Sequence, residues 1–102
     1  MVIHCIILKI RLGGFIIMKA ERIKSVLREE NPYAILLKDM DDALIGLFRN
    51  GRTVGVYSYL KFISKLVLTG KSEEEALAIY EKTILNAERD ENNPIWIDDT
   101  GV

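Results

Sequence analysis

An Asn50-Gly51 pair set between two apolar runs, Ala43 to Arg49 and Arg52 to Tyr57, constrains this chain more than any other feature. The favoured two-residue hairpin turn needs positive φ at both central positions, and Asn-Gly accepts it. Such a turn sets the register by counting outward. Arg49 faces Arg52, Phe48 faces Thr53, Leu47 faces Val54, Gly46 faces Gly55 and Ile45 faces Val56. Ile45, Leu47, Val54 and Val56 then share a core face, while Leu44, Phe48, Thr53 and Tyr57 surround two opposed glycines on the other. Leu44, Leu47 and Phe48 also fit helical spacing, so a helix over 41–49 competes with the hairpin.

The flanking segments carry helix signals. Ile23, Val26, Leu27 and Glu30 fall at i, i+3, i+4 and i+7 before Asn31-Pro32 breaks the pattern, which predicts a helix over 18–30. Tyr33 to Leu37 is a short apolar run that reads as a strand, although periodicity alone does not separate it from buried helix. Ser58 is placed to cap a helix with Tyr59, Phe62, Ile63 and Leu66 on one face, and Gly70 to end it. Ser72-Glu73-Glu74-Glu75 is a capping box opening a helix to about 89, with Ala76, Leu77, Tyr80, Ile84 and Ala87 as its buried stripe. Asn92-Asn93-Pro94 breaks that helix, and Pro94 to Ile97 reads as a closing strand. The expectation is one α+β domain over 18–102. It has a small, mostly antiparallel sheet (hairpin 43–57 plus a strand near 94–98) covered by two or three helices (18–30, 59–69 and 73–89).

Residues 1–17 admit two readings. Ile6, Leu8, Ile10 and Leu12 alternate with Ile7, Lys9 and Arg11, as in an extra strand. Gly13-Gly14 followed by three residues and Met18 is also what a ribosome-binding sequence of the type GGAGGU yields when read as protein, which would make 1–17 an upstream extension. The apolar run 2–8 is far below the roughly 20 residues of a membrane span and lacks the layout of a secretory signal, so the expected location is the cytoplasm.

Charge and composition remove several classes of function. The 102 residues hold 14 Lys and Arg against 15 Asp and Glu, one His and one Cys. His4 and Cys5 supply neither a disulfide nor a usual structural zinc set. No phosphate-binding glycine loop, serine elbow or helical His-Glu motif is present, so neither an enzyme nor a cofactor is expected. Charge is uneven along the chain: residues 18–71 carry net +4, residues 72–102 net −7 and residues 1–17 net +2. Such asymmetry marks either a basic binding surface or two segments that attract each other. Arg49 and Arg52, opposed at the hairpin tip, would repel unless an anion or a carboxylate such as Asp39, Asp41 or Asp42 lay between them. Asp39, Asp41 and Asp42 suggest a hard-cation site, as do Asp90, Glu91, Asp98 and Asp99, but neither group matches the calcium-loop spacing, and turn, cap and solvated roles are favoured. Glu81, Lys61 and Tyr57 are candidates for a buried polar cluster. Absent Gln and 14 Ile fit a thermophile or an AT-rich genome.

Asp41-Asp42-Ala43-Leu44-Ile45-Gly46, Val56-Tyr57-Ser58-Tyr59-Leu60-Lys61, and Glu74-Glu75-Ala76 with Glu81, Ala87, Glu91 and Pro94 resemble a family of small phage and prophage proteins. The resemblance covers residues 39–97. Ser58, Leu60, Thr83, Asn86 and Asp90 depart from the family's Asp, Glu, Asn and two Gly. It implies a mobile-element setting rather than a reaction. The resulting expectation is a non-enzymatic interaction module of a phage or archaeal virus, forming a homo-oligomer and binding a host or viral protein. Metal and membrane contact are not expected. Leu44, Gly46, Phe48, Arg49, Arg52, Gly55 and Tyr57 would form the partner-binding trough, unless a helix of the same chain packs there. The alternative is a nucleic-acid binder using Arg22, Lys24, Arg28, Arg49 and Arg52.

Overall fold

The computed structural model describes residues 15–87 and 91–97. The fold is α+β, and the described elements run in the order β1 (Phe15–Ile17), α1 (Ala20–Glu30), a 3-10 turn (Asp41–Ala43), β2 (Leu44–Asn50), β3 (Arg52–Ser58), α2 (Tyr59–Leu68), α3 (Glu73–Ala87) and β4 (Ile95–Ile97). The strand expected at 6–12 and the helix end expected near 89 lie outside the described residues.

Local signals set the helix boundaries. The Ser58 hydroxyl accepts the Lys61 N–H at 3.1 Å, and α2 ends ahead of Gly70, whose φ of +105° suits glycine. Ser72 and Glu75 exchange bonds of 3.1 and 2.9 Å, completing the capping box that opens α3. Within α3, Ala76, Tyr80 and Ile84 are buried, but Leu77 stays 40% exposed, a departure from the expected stripe. Residues 33–37 form no strand. Their backbone groups bond elsewhere: Ile35 N–H donates to the Asn92 carbonyl at 2.9 Å and Leu37 N–H to the Tyr57 hydroxyl at 2.8 Å.

The sheet order is β1-β2-β3-β4, with β1-β2 and β2-β3 antiparallel. β4 lies parallel to β3, because the α2–α3 hairpin carries the chain back before β4 begins. The hairpin is confirmed, but its register is not the one expected from a two-residue turn. Leu44 pairs with Tyr57; Ile45 then bulges, and from Gly46 outward every pairing is shifted by one, with Gly46 opposite Val56, Leu47 opposite Gly55, Phe48 opposite Val54 and Arg49 opposite Thr53. Asn50 itself pairs with Arg52, leaving Gly51 at the tip with φ +84°. Arg49 and Arg52 therefore do not face each other, nor do Gly46 and Gly55.

The shift sorts side chains onto two apolar faces. Leu44, Leu47, Tyr57 and Trp96 pack with Ile23, Leu27, Phe62, Leu66, Ala76, Tyr80 and Ile84 beneath the three described helices. Phe48, Val54 and Val56 form a separate cluster with Ile45, Ile95 and Ile97. The single core face expected for Ile45, Leu47, Val54 and Val56 is thus divided between the two. At the centre of the helical side, Trp96 stacks on Tyr57 at 5.2 Å and meets Phe62 and Tyr80 edge-on at 5.0 and 5.2 Å. Replacing Trp96 with Ala removes a side chain shared by sheet and two helices, and a loss of about 3–5 kcal/mol of stability is expected, measurable by urea unfolding followed by circular dichroism.

Candidate functional site

The expected trough is filled by the chain itself. Tyr57 is fully buried and Leu44 is 3% exposed. A Cβ built on Gly55 would meet Leu44 Cδ1 at 3.1 Å, Leu36 Cδ2 at 3.4 Å and Leu27 Cδ1 at 3.9 Å, so the absence of a side chain there admits α1 and the following loop. Gly46 is buried between Val56 and Ile17 in the sheet, and Phe48 lies on the opposite face. Of the two readings of the glycine pair, intramolecular packing holds at Gly55.

Arg49 and Arg52 belong instead to a polar cluster that joins the hairpin tip to the end of α1. Arg49 forks onto the Glu30 carboxylate, with Nε to Oε1 at 2.8 Å and Nη2 to Oε2 at 2.7 Å, and the Thr53 hydroxyl donates to the same Oε1 at 2.9 Å. Glu30 ends a helix, where the dipole disfavours an anion. The Arg49 fork first, and then the Thr53 hydroxyl, reverse that penalty and hold the Glu30 carboxyl down at about 2. Arg52 pairs with Glu91 at 2.6 Å and donates to Asn92 Oδ1 at 3.2 Å. This pair joins the basic and acidic stretches of the chain, so part of the charge asymmetry is satisfied internally.

Asn31 sits at the centre of this cluster and is buried. Its Nδ2 donates to the Thr53 carbonyl at 2.8 Å and to Asn92 Oδ1 at 3.1 Å, while its Oδ1 accepts the Tyr33 N–H at 3.3 Å. Sequence reading treats Asn31 only as a helix stop and does not connect Glu30 to Arg49. The one available signal was the polar Glu30-Asn31 pair at the helix end.

Of the other acidic candidates, Asp41 and Asp42 are paired, whereas Asp90, Asp98 and Asp99 lie outside the described residues. Asp41 accepts Lys24 Nζ at 2.6 Å, Asp42 accepts Lys65 Nζ at 2.9 Å, and Asp39 occupies a turn with φ +59°. Asp42 is held below its ordinary value by the Lys65 hydrogen bond. Among the described residues no three His, Cys, Asp or Glu side chains converge as a metal-holding group. Glu81 and Lys61 are exposed, so they form no buried cluster with Tyr57, whose hydroxyl is pushed up by burial. An open groove of about 520 Å³ runs between α1 and residues 32–41, lined by Lys24, Arg28, Lys38, Asp39 and Asp41 around Leu27 and Leu37. It carries three cations and two carboxylates, and among the described residues no Ser, Thr, Cys or His lines it. No described helix is long and apolar enough to cross a membrane.

No family model matches the chain, and no curated protein or solved structure matches it either.

Two outcomes follow from this geometry. Glu30 is lowered from 4.5, so its contribution to stability is complete above about 4.5 and is lost as pH falls toward 2. Glu30→Gln is expected to lower the urea midpoint at pH 7 while flattening its fall between pH 4.5 and 2. Asn31→Ala leaves the buried Thr53 carbonyl without its side-chain donor and is expected to cost about 1–3 kcal/mol in the same titration.

Proposed function

We propose that this protein is a non-enzymatic interaction module that binds a partner protein through the outer side of α2. The supporting observation is an apolar stripe left in solvent. Leu60 is 47% exposed, Val67 41% and Leu68 84%, and their i, i+7, i+8 spacing places them within one arc of the helix. Exposed Lys61 and Lys71 lie along its length and beyond its end. An apolar strip bordered by cations fits a protein surface of apolar side chains rimmed by carboxylates. The motif resemblance over 39–97 supports a phage or archaeal-virus setting, with a host or viral protein as the partner.

The nucleic-acid reading has less support. Of its five basic residues, Lys24, Arg49 and Arg52 are engaged by Asp41, Glu30 and Glu91. Arg22 and Arg28 remain on the exposed side of α1.

The test compares capture by the tagged full chain with capture by Leu68→Asp and by the double variant Arg22→Ala/Arg28→Ala. Leu68 is a surface position, and its substitution is expected to change stability by no more than about 0.5 kcal/mol. The reading requires a protein that is retained by the parent chain at low and high salt, retained by the arginine variant and lost by Leu68→Asp. Capture indifferent to Leu68→Asp, or nucleic acid retained at low salt and released at high salt, overturns it.

A further inference from the structure

We infer that the groove between α1 and residues 32–41 is a docking site separate from the α2 stripe, and that its occupant is a short acidic segment of a partner protein with an apolar side chain between carboxylates. The groove has two defined ends. At one, Asn31-Pro32 turns the chain back beside α1; at the other, Lys24 Nζ reaches across to Asp41 Oδ2 at 2.6 Å. From Lys24 to Asn31 the helix rises about 10 Å, the length of about three residues of extended chain. The floor between them is apolar, with Leu27 buried and Ala34, Leu36 and Leu37 half-buried. It is also fixed from below. Leu27 and Leu36 close over Gly55, and Leu37 N–H donates to the Tyr57 hydroxyl at 2.8 Å, so little ordering is needed when a ligand arrives.

The charges around that floor are unequally matched. Lys24 and Asp41 neutralise each other. Lys65, whose charge is stabilised first by Asp42, also feels Asp39, so that carboxylate is partly balanced from outside the groove. Arg28 and Lys38 are exposed, and among the described residues no carboxylate pairs with either. Arg28 lies one turn beyond Lys24 on the same side of α1, and Lys38 comes from the facing loop, so the two unmatched cations stand on opposite walls. Cations on both walls above an apolar floor are complemented by carboxylates flanking an apolar group. Because the groove is open along its length, it would leave much of a small molecule's surface in water, whereas a segment of a protein needs cover on one side only. A nucleic-acid backbone would carry phosphates past Asp39 and Asp41 and be repelled there. A three-residue segment places its carboxylates at Arg28 and Lys38 and none at that end.

The test follows amide signals of the isotope-labelled full chain at physiological salt. The probes are the acetylated, amidated peptides Glu-Leu-Glu, Glu-Ser-Glu and Lys-Leu-Lys, and a short oligothymidylate. Glu-Leu-Glu, raised to millimolar concentration, is expected to give saturable shifts at Arg28, Ala34, Leu36, Leu37 and Lys38. Glu-Ser-Glu is expected to bind more weakly and Lys-Leu-Lys not at all. The charge-reversed variant Arg28→Glu/Lys38→Glu changes two exposed positions, and unmoved signals of Phe62 and Trp96 check that its core is intact. It is expected to bind Glu-Leu-Glu at least about fivefold more weakly and to accept Lys-Leu-Lys in its place. Leu68→Asp is expected to leave every groove shift unchanged, so failure here and failure of the α2 reading are told apart. Absence of saturable shifts, shifts centred on α2, or equal binding of Glu-Ser-Glu overturns the inference. Tighter binding of oligothymidylate at the same amides also overturns it, by making the groove a nucleic-acid site.

Discussion

The bulge at Ile45 decides what every other residue of the sheet does. Side chains of a strand alternate between faces, so shifting the pairing by one residue changes which neighbours share a face. Leu44 opposite Tyr57 keeps the simple count, and one extra residue then places Leu47 over Gly55 and Arg49 beside Thr53. The Ile45 carbonyl is not left idle, since Met18 N–H donates to it at 3.1 Å. The result is a helical face of large side chains with a gap at Gly55 that Leu27 and Leu36 enter, and a second apolar face built from Phe48, Val54 and Val56.

That register is supported at the far end of the hairpin by the carboxylate that closes α1. Glu30 can accept from both Arg49 and Thr53 only if those residues share a face and are directly opposed, the arrangement the bulge creates. The Arg49–Glu30 pair is more than a third exposed on both sides, so its Coulomb energy is screened and its worth lies in alignment. Asn31 does the buried part of the same task. It links the end of α1 to the β3 backbone and to Asn92, and so ties together three stretches of chain that are distant in sequence.

The parts of this fold legible in the sequence are those governed by short-range chemistry. Ser58, Gly70, Ser72 and Glu75 act within a few residues of themselves, and the helices they bound start and stop where those residues imply. Asn50-Gly51 announces a hairpin for the same reason. Its register is set by long-range contacts of Glu30, Leu27 and Leu36, and no local turn rule contains them. The loop over 33–37 shows the same limit: its apolar residues have strand composition, but Tyr57 and Asn92 take its N–H groups first. The candidate trough fails in sequence terms because two glycines one position out of register leave no shared gap. The pairing of Arg49 and Arg52 with carboxylates is foreseeable as chemistry, whereas Glu30 and Glu91 as the partners are not, since the expected choices lay at 39, 41 and 42.

The sheet is apolar on both faces, and the three described helices pack against one of them, so Phe48, Val54 and Val56 with Ile45, Ile95 and Ile97 form a cluster separate from the helical core. On the helical side, α2 keeps Leu60, Val67 and Leu68 in solvent, while Ile17 and Tyr33 are exposed elsewhere on the described surface. Lys24, Lys65, Arg49 and Arg52 are each met by a carboxylate of the chain, so much of the basic charge of residues 18–71 is balanced within the body. Polar side chains of distant segments thus hold the body together in ion pairs and hydrogen bonds, while α2 carries an apolar stripe that the body does not bury.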